Sequence, residues 1–209
     1  MLVLGDAHAV DPPKRAALEA AYAAADEDVA VQAGDLMHYD LPAPTWFIAG
    51  NNEDLDVIEA LRRGETPAGV HNAHLLASTV VGIEGLRVAG LSGNHAPTQF
   101  EKDRDELAPE RRRHFVREDV ERLLEMVDID VLLVHESPHG LDWDEEYDVG
   151  CTHVDRILRE VEPRLCLVGH HHQSLEGSFG PTRVVGLEPV WEAHYTLDPG
   201  TLELTRYPA

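Results

Sequence analysis

Five short groups of metal-ligand residues fall in one order along the chain, each at the end of a predicted strand. They are Asp6-Ala7-His8, Gly34-Asp35, Gly50-Asn51-Asn52-Glu53, His135 within Val134-His135-Glu136-Ser137-Pro138, and Gly169-His170-His171-His172. A chain with its polar ligands at successive strand ends must bring those ends to one rim. That demands α/β layering, because open α/β sheets place their sites beyond the carboxyl ends of their strands. The expected strands cover residues 1–4, 28–32, 45–49, 74–77, 79–83, 86–91, 130–134 and 165–168, with a β-rich tail at 174–179, 183–187, 191–197 and 202–207. Helices are expected from Pro12-Pro13 to about Ala25, over 53–62, over 110–127 and over 152–161. The polar stretches 92–109 and 138–150 read as long loops near the site. At 209 residues the chain is read as one domain, 1–209.

Each group has its own chemistry. Asp6 and His8 stand two apart, as do His170 and His172, so on extended segments each pair would point to one side while His171 points away. Asp35 is the best bridging candidate, since a carboxylate can offer one oxygen to each of two ions. Asn51 adds a neutral amide oxygen, and His135 another imidazole. Two Asp, one Asn and four His form a mixed N/O set suited to two divalent transition-metal ions, with manganese the first choice over Fe, Ni, Co or Zn.

The order and residue types of the five groups resemble the calcineurin-like metallophosphoesterase superfamily. That resemblance implies a four-layer α/β/β/α sandwich. It also implies one metal on Asp6, His8, Asp35 and His172, and a second on Asp35, Asn51, His135 and His170. The implied activity is a dinuclear-metal-dependent phosphoesterase, a phosphodiesterase before a monoesterase, working by in-line attack of a metal-bridging hydroxide on phosphorus. The superfamily's third motif usually reads Gly-Asn-His-Asp/Glu, and its His protonates the leaving oxygen. Here Asn52 holds that place beside Asn51 and cannot supply a proton. His95, in the look-alike Gly93-Asn94-His95, is the candidate substitute. His38 and His139 are read as further residues lining the cleft. The segment from Gly82 to Gly93 narrows the resemblance to RNA lariat debranching enzymes and their relatives, and hence towards phosphodiesters. The alternative is a phosphoesterase-fold scaffold acting through protein contacts, which the missing His keeps open.

The formal net charge is −22, from 39 acidic and 17 basic residues, only two of them lysines, Lys14 and Lys102. Such a chain lacks the basic stripe of a nucleic-acid binder, so the expected partner is a small phosphate ester or nucleotide-type molecule. Arg111-Arg112-Arg113 is read as a solvated helix end. No signal peptide or membrane-spanning stretch is read at the start or elsewhere, and Cys151 and Cys166 lack CxxC spacing, so a cytoplasmic location is expected. Self-repulsion of this size is screened when the Debye length falls to ~3 Å in molar salt, so the composition is read as halophilic. Resistance to unfolding is expected to rise as KCl is raised from dilute to molar. Stability that stays flat or falls in that titration would remove the salt-adaptation reading.

Overall fold

The computed structural model describes residues 1–141 and 148–209. The first sheet holds β1 (Leu2–Leu4), β2 (Ala30–Gln32), β3 (Asp40–Phe47), β4 (His71–Leu75), β11 (Ala193–Leu197) and β12 (Leu204–Pro208). The second holds β5 (Thr79–Ile83), β6 (Leu86–Leu91), β7 (Val131–Val134), β8 (Leu165–Val168), β9 (Leu175–Phe179) and β10 (Thr182–Gly186). Their orders are β12-β11-β1-β2-β3-β4 and β5-β6-β7-β8-β10-β9. In each sheet a parallel centre carries antiparallel strands at an edge, with β1, β2, β3 and β4 parallel in one and β6, β7, β8 and β10 in the other.

Side-chain alternation divides the interior into three apolar layers. Val3, Val131, Leu133, Leu165 and Leu167 meet between the sheets. Their neighbours in sequence turn outward. Leu132, Val134, Cys166 and Val168 pack under α3 (Arg117–Leu124) and α4 (Thr152–Val161), while Leu2 and Leu4 pack under α1 (Pro12–Ala25) and α2 (Leu55–Arg62). Strands covered on both faces read as unbroken apolar runs, which is why β7 is Val-Leu-Leu-Val and β8 Leu-Cys-Leu-Val. The result is the expected four-layer α/β/β/α sandwich. Among the described residues no helix is long and apolar enough to cross a membrane.

Two expectations are corrected. The helix expected over 110–127 forms only at Arg117–Leu124; before it lie a 3₁₀ turn at Pro109–Arg111 and an extended segment. That segment cannot be helical because its backbone is already paired, with Asn94 N donating to Arg113 O and Phe115 N to Asn94 O, both at 3.2 Å. The strand expected at 45–49 instead begins at Asp40, through Pro42 and Pro44. These prolines break no ladder towards β2, which pairs only with Thr45, Trp46 and Phe47. The loop expected over 92–109 contains a 3₁₀ turn at Arg104–Glu106. The loop expected over 138–150 is described up to Leu141 and from Asp148, with 142–147 outside the described residues.

Leu133 is fully buried between the sheets. Leu133→Ala is expected to lower unfolding stability by about 2–5 kcal/mol in urea titration. A change under about 1 kcal/mol would mean that the two sheets do not share a close-packed interface there.

Candidate metal centre at the strand ends

The carboxyl ends of β1, β2 and β3 in one sheet and of β7 and β8 in the other open onto one rim, and the five groups meet there. Asp35 Oδ2 lies 3.6 Å from Nε2 of both His8 and His135. Asp6 Oδ2 lies 2.9 Å from His172 Nε2 and 3.8 Å from His8 Nε2. Asn51 Oδ1 is 3.1 Å from His135 Nε2. Ligand atoms within 4.8 Å of one another form two groups, Asp6-His8-His172 and Asp6-Asp35-His135. His170 stands at the edge, its ring centroid 5.0 Å from that of His135.

The donor set tests whether a cation fits. His135 Nδ1 lies 2.9 Å from Ala33 O, so this nitrogen carries a proton and donates it there. In the neutral ring the lone pair on Nε2 then faces Asn51 Oδ1 and Asp35 Oδ2, leaving acceptors turned towards acceptors. This is how metal-binding histidines are held, with one nitrogen fixed on a carbonyl and the other turned to the ion. Asp6 and Asp35 are each 1% exposed and His135 is 0% exposed. Carboxylates this buried demand compensating charge. Without an ion a proton supplies it: burial pushes the His135 imidazole down, but Asp35 and Asp6 together raise it to about 9. Burial pushes Asp35 up, yet His135 and Asn52 hold it at about 2. A divalent cation would displace that proton and satisfy the same oxygens.

The ligands do not converge by alternation along extended segments, as expected from their spacing. His8, Asp35, His170 and His172 all adopt positive φ, at 44°, 55°, 71° and 54°. The chain turns sharply out of each strand, and these turns rather than a pleat aim the side chains. Left-handed backbone at residues with a Cβ costs on the order of 1–3 kcal/mol each and persists only where the surroundings enforce it. Hydrogen bonds do so here. Ala7 N and His8 N both donate to Asp35 O, at 3.1 and 2.7 Å, and His170 N donates to Asp6 Oδ1 at 2.8 Å. Gly34, at φ 104°, and Gly50 allow the close approach, since a Cβ on either would run into the His135 ring and, at Gly50, into Asp35 as well.

Asn52 donates twice to Asp35, from its backbone N to Oδ1 at 2.7 Å and from Nδ2 to Oδ2 at 2.8 Å. Glu53 ties the second and third groups together. Its carboxylate accepts from Leu36 N at 2.9 Å, Met37 N at 3.1 Å and Tyr39 Oη at 2.6 Å, and burial raises it to about 7. His171 packs edge-on against His170 with centroids 5.2 Å apart, and burial lowers it to about 4. The His95 ring packs among Phe100, Phe115 and His153 with centroids 5.7, 5.8 and 4.7 Å away. His139 bonds Asp155 on α4 through Nδ1 at 2.7 Å, and His38 lines a hollow with Leu18, Tyr22 and Pro42.

Sequence reasoning missed three side chains near the cluster. Trp191 stands 5.7 Å from the His8 ring and 5.4 Å from His172, with Lys14 Nζ 3.8 Å over its own ring. Arg113 Nη1 donates to Asn51 O at 3.1 Å. Lys14 follows soon after His8 but carries no site signal of its own, whereas Trp191 and Arg113 arrive from segments well removed from His8 and Asn51 in sequence.

No family model matches the chain. A lariat debranching enzyme of Schizosaccharomyces pombe is 27% identical over 169 residues, which are 66% of this chain and 36% of that protein, so the match spans about a third of the relative. The protein TT1561 of Thermus thermophilus superimposes with a TM-score of 0.69 at 20% identity, covering 99% of this chain and 97% of that one. Another solved structure superimposes at 0.75 with 16% identity, covering 99% and 97%. GAP50, the anchor in the inner membrane complex of Plasmodium, superimposes at 0.54 with 9% identity, covering 92% and 72%. The sandwich is the calcineurin-like metallophosphoesterase fold.

Asn52→Ala removes a hydrogen bond that orients Asp35 while leaving every ligand atom in place. Mn²⁺ affinity is expected to fall about 10–100-fold by calorimetry, with little change in unfolding midpoint. Unchanged affinity would show that Asn52 does not set the Asp35 carboxylate.

Proposed function

We propose that this chain, which has the calcineurin-like metallophosphoesterase fold, is a divalent-metal-dependent phosphoesterase that prefers phosphodiesters. The observation that carries the reading is the convergence of ligand atoms of Asp6, Asp35, Asn51 and His135 on one largely buried rim. Asp6, His8, Asp35 and His172 would hold one ion, and Asp35, Asn51, His135 and His170 the other. Manganese suits this mixed N/O set. When bound, such ions lower the pKa of a coordinated water and neutralise charge on the phosphoryl oxygens.

The protein's own groups orient and insulate. Ala33 O fixes the His135 ring, Asn52 fixes Asp35, and Trp191 walls the His8 and His172 side. Asn52 spends its amide on Asp35 and carries no titratable proton for a leaving oxygen. Among the described residues the His95 ring packs with aromatic side chains, so we assign no substitute for the acid missing at Asn52. Leaving groups that depart as stable anions are therefore favoured over simple alkoxides. The similarity to a lariat debranching enzyme supports a diester, and the strong negative charge supports a small or nucleotide-type substrate over a long nucleic-acid strand. The free, buried Cys151 and Cys166 suit a reducing compartment, which we take to be the cytoplasm.

Hydrolysis of bis-p-nitrophenyl phosphate and p-nitrophenyl phosphate in high KCl tests the reading. Mn²⁺-dependent cleavage is expected, faster on the diester, and Asp35→Asn is expected to reduce it by more than about 100-fold. A folded protein that holds two ions yet turns over neither ester would favour a scaffold, the role named for the anchor protein of like fold.

A further inference from the structure

The Gly93-Asn94-His95 loop packs its histidine ring among aromatic side chains and is firmly built into the rim. Gly93 N donates to Ala49 O and His95 N to Glu136 Oε1, both at 2.7 Å. Asn94 pairs with the chain on both sides of His114, through Arg113 O and Phe115 N. Gly93, at φ 100°, lets Arg113 O approach where a Cβ would collide. Phe115, fully buried, anchors the facing segment. Together these contacts fix where Arg113 leaves the backbone.

The Arg113 side chain then reaches towards the ligands. Its Nε donates to Glu110 O at 3.0 Å and its Nη1 to Asn51 O at 3.1 Å. Both partners are neutral carbonyls, and among the described residues no carboxylate pairs with this guanidinium. Elsewhere the arginines are largely matched, as Arg104, Arg117, Arg156, Arg183 and Arg206 are by Asp119, Glu101, Glu160, Glu176 and Glu188. Arg15, Arg87 and Arg159 likewise meet only a carbonyl or a ring, so it is the position of Arg113 that sets it apart. Its guanidinium is held against the backbone of Asn51, a candidate ligand.

We propose that Arg113 binds an anionic phosphoryl oxygen of the substrate on the Asn51 side of the metal centre. The inference rests on the phosphoesterase reading and adds to it a substrate-binding residue and a charge requirement. A guanidinium carries five N–H donors, and only two are used here, so donors remain for a charge-assisted bond to phosphate. Arginine does not give up its proton at working pH, so Arg113 stabilises charge and leaves the missing general acid unreplaced. Substrates keeping a negative oxygen on phosphorus, as phosphate diesters and monoesters do, are selected over neutral triesters.

The test is inorganic phosphate binding to the Mn²⁺-loaded full chain by calorimetry, with Mn²⁺ content measured in parallel, for wild type, Arg113→Gln and Arg113→Lys. Arg113→Gln is expected to weaken phosphate about tenfold or more at unchanged Mn²⁺ content, with part of the loss recovered in Arg113→Lys. Unchanged phosphate affinity in Arg113→Gln would overturn the proposal. So would a loss that disappears at saturating Mn²⁺, since Arg113 would then only brace Asn51. A wild type that cleaves no ester while Arg113→Gln still weakens phosphate binding would overturn the phosphoesterase reading and the substrate role, leaving Arg113 as a phosphate-binding residue. A wild type that binds neither Mn²⁺ nor phosphate would overturn both.

Discussion

Two carboxylates, Asp6 and Asp35, are held almost wholly out of water with histidine nitrogens turned towards them, and the Asn51 amide oxygen faces one of those histidines. Burying charge this way is unfavourable unless something positive sits among the oxygens. A proton on His135 meets the demand in part, and a pair of divalent ions would meet it fully. Most of the surrounding construction exists to keep these groups from relaxing away from one another.

That construction is mainly backbone. Asp35 O takes the amides of Ala7 and His8, Asp6 takes the amide of His170, and Glu53 takes those of Leu36 and Met37. The Asp6, Asp35, Glu53 and His170 groups are thereby tied to a neighbour from another strand end, and His135 is tied through Nδ1 to Ala33 O. Four ligand residues are held in left-handed conformations that they would leave if free. The strain is tolerable because the strands beneath are close-packed on both faces and cannot shift to relieve it. A site of this kind is preorganised by the fold.

Much of this was legible beforehand because it is encoded locally. The apolar runs at 131–134 and 165–168 report strands buried on both faces, and the glycine before Asp35, Asn51 and His170 reports a close turn at a strand end. What escaped was non-local. The helix expected from Glu110 gives way to extended chain because Asn94 takes its amide and carbonyl partners, a pairing that no periodicity within 110–127 reveals. The positive φ of His8, His170 and His172 was hidden for a related reason, since histidine prefers no such conformation and only the bonds to Asp35 and Asp6 impose it. Trp191 reaches the site through the register of β11 against β1, and Arg113 through the Gly93 loop, so neither carries a signal in its own neighbourhood. Asn52 was seen as a missing acid, whereas its two bonds to Asp35 give it a positioning task.

The central claim is that Asp35 is shared by two divalent ions. The most direct measurement is a crystal structure of the protein grown with Mn²⁺, with anomalous data collected at the manganese edge. Two anomalous peaks are expected, both bonded to Asp35, with His8 and His172 on one side and Asn51 and His135 on the other. A single peak, or peaks that leave Asp35 unbonded, would contradict the account.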